Sequence, residues 1–141
     1  MTKLWIAAAA AAVTLISSAA LAETVHMKAT LTGAAQVPPL QINGKGTADV
    51  TVDTTTKKLT WKIEYTGLSG PAMAAHFHGP ADASKNAGVE VPIVPPGPSP
   101  LSGSATITDD VLKQLMGGMM YINVHTKAHP AGEIRGQVEK Q

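Results

Sequence analysis

Gly46-Thr47-Ala48-Asp49-Val50-Thr51-Val52-Asp53-Thr54-Thr55-Thr56-Lys57-Lys58-Leu59-Thr60-Trp61-Lys62-Ile63-Glu64-Tyr65 decides the fold class. Two period-two runs flank a polar link. In the first, Gly46, Ala48, Val50 and Val52 alternate with Thr47, Asp49, Thr51 and Asp53. In the second, Leu59, Trp61, Ile63 and Tyr65 alternate with Thr60, Lys62, Glu64 and Thr66. Successive side chains of a strand point to opposite faces, so each run has one apolar and one polar face. Residues 53–58 between them suit a hairpin turn.

The same signal extends outward. Upstream, Val25, Met27, Ala29 and Leu31 alternate with His26, Lys28, Thr30 and Thr32. Downstream, residues 67–71 break the pattern, and strand-like runs resume at 72–78, 89–94, 105–108, 120–126 and 133–138. In the run 72–78, period two puts Met73, Ala75 and Phe77 on the apolar face and His76 and His78 on the other. In 120–126, Met120, Ile122 and Val124 face inward and leave Tyr121, Asn123 and His125 opposite. One stretch has helical spacing. Thr108 with Asp109 and Asp110 suits a helix start, Val111, Leu112, Leu115 and Met116 form its apolar stripe, and Gly117-Gly118 ends it. Pro92, Pro95, Pro96, Pro98 and Pro100 mark a stiff connection unfit for a central strand. The expected architecture is all-β, an antiparallel β-sandwich or barrel with one short helix.

Composition narrows the function classes. The chain of 141 residues has room for one domain, and 44% apolar residues suffice for a core. Eleven Lys and Arg balance ten Asp and Glu, so no basic surface for nucleic acid is implied. Cysteine is absent, which removes disulfides, thiolate metal sites and cysteine catalysis. Residues 1–22 read as a signal peptide: Lys3, an apolar run over 4–16, and Ala20-Leu21-Ala22 as the cleavage pattern. Residues 23–141 are then the mature domain, exported to the periplasm or secreted. The apolar run falls short of the ~20 residues of a membrane span.

Three stretches carry more than alternation needs: Ala75-His76-Phe77-His78-Gly79-Pro80-Ala81, Tyr121-Ile122-Asn123-Val124-His125-Thr126 and Pro130-Ala131-Gly132-Glu133-Ile134-Arg135-Gly136-Gln137. In this order and spacing they resemble the CHRD domain, a module first defined in chordin that also occurs alone in secreted bacterial proteins. The resemblance spans nearly all of residues 25–138 and includes Gly44, Gly46 and Gly67-Leu68-Ser69-Gly70. It implies a secreted β-sheet domain of immunoglobulin-like type without established catalytic activity. The growth-factor ligand of chordin is not carried over, because its cysteine-rich modules have no counterpart here. Where the family usually has Asn-Pro-Gly, this chain has His129-Pro130-Ala131, which changes the turn and adds an imidazole.

His76 and His78, two apart on a strand, point the same way and can reach one ion. His125 from a second strand completes a three-nitrogen set, and His129, four residues on across a turn, is the candidate fourth ligand. Imidazole suits Cu(II) and Zn(II), at roughly 2.0–2.1 Å for zinc. The His-x-His pair is similar to that of copper-zinc superoxide dismutases, also β-sandwiches, whose bridging histidine and disulfide have no counterpart here. Copper stands ahead of zinc because an exported location suits it. The competing reading makes these imidazoles structural, bonded to carbonyls or Glu133, in a module that contacts another exported or extracellular-matrix protein. A third makes the chain a copper enzyme handling superoxide. Met116-Gly117-Gly118-Met119-Met120 is a second candidate, since thioethers favour Cu(I), with ordinary packing the preferred reading, and Glu133 and Arg135 read as outward residues that make a salt bridge or a bidentate hydrogen bond to a neighbouring strand. No carboxylate pair, Ser-His-Asp set or P-loop pattern assembles, so the expectation is a non-catalytic binding module.

Overall fold

A computed structural model describes residues 21–141. The expected signal segment lies outside them, apart from Leu21 and Ala22. The described residues form nine strands and one helix: β1 (Thr24–Thr32), β2 (Lys45–Asp53), β3 (Lys58–Thr66), β4 (Ala72–His78), β5 (Val89–Pro92), β6 (Leu101–Thr106), α1 (Asp109–Met116), β7 (Tyr121–Thr126), β8 (Ile134–Gln137) and β9 (Glu139–Lys140). All pairings are antiparallel.

The β2–β3 hairpin forms where the alternation demands it, with Val50 opposite Trp61 and Val52 opposite Leu59. Asp53 closes its turn by accepting bonds from the Thr55 and Thr56 amides at 2.9 and 2.7 Å. The strands follow the order β5-β4-β7-β8-β1-β2-β3-β6, with β9 also on β1. The two layers are therefore halves of one ladder, folded until it is nearly barrel-shaped. Their inner faces meet across the core, where Trp61 of β3 and Phe77 of β4 stand edge to face at 5.4 Å between ring centroids. Leu31, Val52, Leu59, Ile63, Phe77, Ile122, Val124 and Ile134 are fully buried around them. At about 1.5–3 kcal/mol for each such side chain, this core stands in for the disulfides the chain cannot form.

Two expectations need correction. The run placed at 105–108 forms earlier, as β6, because Leu101–Ile63 through Lys58–Thr106 pair in register. Gly103 acts there as a packing residue, not a breaker, since a Cβ would lie 2.8 Å from the Trp61 ring. Met73, assigned to the core face, is 61% exposed. The register shifts between Ala72 and Ala74, which makes Met73 an extra residue in the strand.

Helix α1 begins as its residues require. The Thr108 hydroxyl accepts from the Val111 amide at 3.2 Å, Val111 and Leu115 face the core, and Gly118 follows the helix at φ +70°. No helix among the described residues is long and apolar enough to cross a membrane.

Candidate metal centre

Strands β4 and β7 are neighbours, and their register opposes Ala74 to His125, His76 to Asn123 and His78 to Tyr121. Alternation then puts His76, His78 and His125 on one outer face, with Ala75, Phe77, Ile122 and Val124 on the inner one. The three rings are mutual neighbours, with centroids 5.3 Å (His76–His78), 5.0 Å (His76–His125) and 5.9 Å (His78–His125) apart. One ring nitrogen from each lies within 4.8 Å of the other two. Nitrogens bound at about 2.0–2.1 Å around a tetrahedral ion sit roughly 3.3 Å apart. His76 Nδ1 and His125 Nε2, at 3.2 Å, already have that spacing.

Hydrogen bonds fix which nitrogens are free. A carbonyl only accepts, so His78 Nδ1, 3.0 Å from the Ala87 oxygen, and His125 Nδ1, 2.9 Å from the Pro130 oxygen, carry the protons. Each ring keeps its Nε2 lone pair as an acceptor, the arrangement in which a second partner orients a metal ligand; that of His125 faces His76 Nδ1, which donates to it at 3.2 Å in the metal-free protein. His78 Nε2 is buried and has no hydrogen-bond partner. Burial holds the pKa of His76 below the usual imidazole value, helped by the charges of His125 and His78. Burial also lowers that of His78, against the raising effect of the Ala87 carbonyl and with the help of His125 and Arg135. Both effects favour the neutral, ligating form.

Beside the histidines the outer face is polar yet covered. His78 stacks on Tyr121 at 5.0 Å and 4°. Arg135 lies 3.6 Å from the centroid of the Tyr121 ring. Its guanidinium donates to the Lys85 carbonyl at 2.7 Å, the Asp82 carbonyl at 3.1 Å and Asn86 Oδ1 at 2.9 Å. The Tyr121 hydroxyl accepts from the Ala87 amide at 3.0 Å and donates to the Ala87 carbonyl at 3.2 Å, the same oxygen that His78 engages. Arg135 and Tyr121 thus hold the segment that sets the His78 tautomer. On the other side, Gln36 Nε2 donates to Asn123 Oδ1 at 2.8 Å.

Of the expected ligands, His76, His78 and His125 come together. His129 is not in this group. Its turn folds back so that the Pro130 carbonyl, not the His129 imidazole, meets His125. His129 instead borders a hollow with Gln36, Pro38 and Leu40. His26 is exposed on β1, and Met120 is fully buried. Glu133 and Arg135 are both buried and do not pair with an opposite charge. Glu133 accepts from the Ser69 amide at 2.7 Å and the hydroxyls of Ser69 and Thr126 at 2.6 and 2.5 Å. Burial would raise its pKa, but those three donors outweigh it and the net shift is downward. Tyr121, Asn123 and Arg135 were legible only as outward strand positions; the sole signal of their role was the size and hydrogen-bonding capacity of these side chains.

Neither a curated protein nor a solved structure matches the chain. The family model for the CHRD domain matches residues 27–138, from the buried Met27 of β1 to the buried Val138 that follows β8. All three histidines and the Glu133–Gln137 stretch fall inside that span, and the chain belongs to the CHRD domain family.

Proposed function

We propose that this chain is an exported, non-catalytic binding module that holds one transition-metal ion through His76, His78 and His125, copper ahead of zinc. The observation that carries the reading is the buried, unpartnered Nε2 of His78 beside two further imidazole nitrogens. Leaving a buried polar atom unpaired costs about 1–3 kcal/mol, which a coordinated ion would remove. Neutral imidazoles suit both metals, and Cu(II) lies above Zn(II) in intrinsic affinity. Export rests on the signal-like residues 1–22, and the absence of a catalytic role on the lack of any nucleophile or acid–base pattern in the sequence.

A structural role is the competing reading, and the carbonyl bonds of His78 and His125 favour it. Calorimetric titration of chelator-stripped protein with Cu(II) and with Zn(II) separates the two. Binding of one ion per chain is expected, tighter for copper, with His76→Ala and His125→Ala each weakened about tenfold or more. Equally weak binding by all three proteins overturns the metal reading and leaves the histidines as structural groups.

A further inference from the structure

Met73 occupies a position that simple alternation would give to the core. It is exposed because β4 pairs Ala72 with Thr126 and then Ala74 with His125, which inserts Met73 as a bulge. In a bulge two consecutive residues oppose one on the partner strand, and the in-out pattern restarts. Burial follows this pattern: Ala72 and Ala75 are buried, while Met73 is exposed and Ala74 half-buried between them. The bulge thereby transfers Met73 from the core face to the histidine face. Met73 falls between the pairs Ala72–Thr126 and Ala74–His125, next to the residue that opposes His125.

We propose that Met73 is the fourth ligand of the metal centre, its thioether joining His76, His78 and His125, and that the site therefore binds Cu(I) as well as Cu(II). This rests on the three-histidine reading. Among the described residues no carboxylate or fourth imidazole joins the three rings. Ala74, the neighbour of Met73, opposes His125, and opposed Cβ atoms of an antiparallel pair lie about 4.5–5.5 Å apart; an unbranched side chain with three torsions can reach across from the adjacent position. Thioether sulfur favours Cu(I), whereas Zn(II) takes thiolate, imidazole and carboxylate ligands. The ligand chemistry therefore discriminates between metals, and the bulge is the device that delivers it. Bulges near functional sites commonly re-aim one side chain in this way.

The test compares the full chain with Met73→Leu, which keeps the apolar bulk at an exposed position, and with His129→Ala. Cu(I) affinity is measured anaerobically against a chromogenic chelator, and Zn(II) affinity separately. Met73→Leu should lose about 10–100-fold for Cu(I), the scale on which even outer partners of a metal site act, with Zn(II) binding unchanged. His129→Ala should match the wild type for both metals. Undiminished Cu(I) binding by Met73→Leu overturns the proposal, as does an equal loss for both metals or a Cu(I) loss confined to His129→Ala. If the wild type binds neither metal, the three-histidine reading falls and this one with it. If the wild type binds both and Met73→Leu does so equally, only the thioether is refuted.

Discussion

Arg135 and Glu133 are each 1% exposed, and each is satisfied by neutral groups: carbonyls and an amide for the cation, hydroxyls and an amide for the anion. Such residues make folding depend on protonation, and the histidines add a second dependence. Burial lowers His76 and His78 from the ordinary value of 6.5. As pH drops below that value the unfolded chain takes up protons that the folded one refuses, so stability declines with falling pH. Above it the contribution is complete. Glu133 acts in a lower window, because its stabilisation is present above 4.5 and is lost as pH falls through its depressed folded value. Thermal unfolding with chelator present, from about pH 8 down to about pH 2, should show a two-stage decline. His76→Gln should flatten the upper stage and leave the lower one; an unchanged upper stage would mean that His76 is not a source of it. The paired spacing of His76 and His78 and the inward partners of His125 made this cluster legible in the sequence. The position of His129 was not: whether the turn after β7 presents the His129 ring or the Pro130 carbonyl depends on how the chain folds back, which spacing does not encode. The burial of Tyr121, Asn123 and Arg135 was also hidden, because residues 81–87 and Gln36 cover them from distant parts of the chain.

Elements fared according to how local their causes are. The β2–β3 hairpin and helix α1 are set by neighbouring residues and form where alternation and capping put them. Strand β6 was displaced because Ser102-Gly103-Ser104 resembles a breaker when read alone, and only the Trp61 ring across the ladder explains the glycine. The bulge at Met73 is likewise a property of two strands together. A local cause also predicts a local cost. Thr108→Ala deletes the acceptor of the Val111 amide and should destabilise the protein by about 1 kcal/mol. In urea unfolding the midpoint should fall with no change in slope, and Thr108→Ser should recover most of the loss. Metal binding should be untouched, since α1 contributes none of the three histidines.

At the scale of the molecule, the fold depends on a seam. Strand β8 bonds to β7 on one side and to β1 on the other, with Thr32 opposite Arg135, and β9 adds to β1 alone, with Met27 opposite Lys140. There one half of the ladder becomes the other, and the backbones approach closely. At Gly136, opposite Ile122, an added Cβ would fall on the Thr30 carbonyl group, 2.7 Å from its carbon. Backbone cannot step aside as a flexible side-chain end can, so Gly136→Ala must push β8 away from β1. Overpacking of this kind costs about 1–3 kcal/mol. The manner of unfolding says more than the size of the loss. Trp61 lies in the half formed by β1, β2, β3 and β6, whereas the histidines lie on β4 and β7 in the other. If the ladder is one cooperative unit, Gly136→Ala lowers the Trp61 fluorescence midpoint and the far-ultraviolet circular dichroism midpoint together. If the halves are separable, the two midpoints part, with Trp61 unfolding last. An unshifted midpoint by both probes would show that the seam tolerates the methyl group.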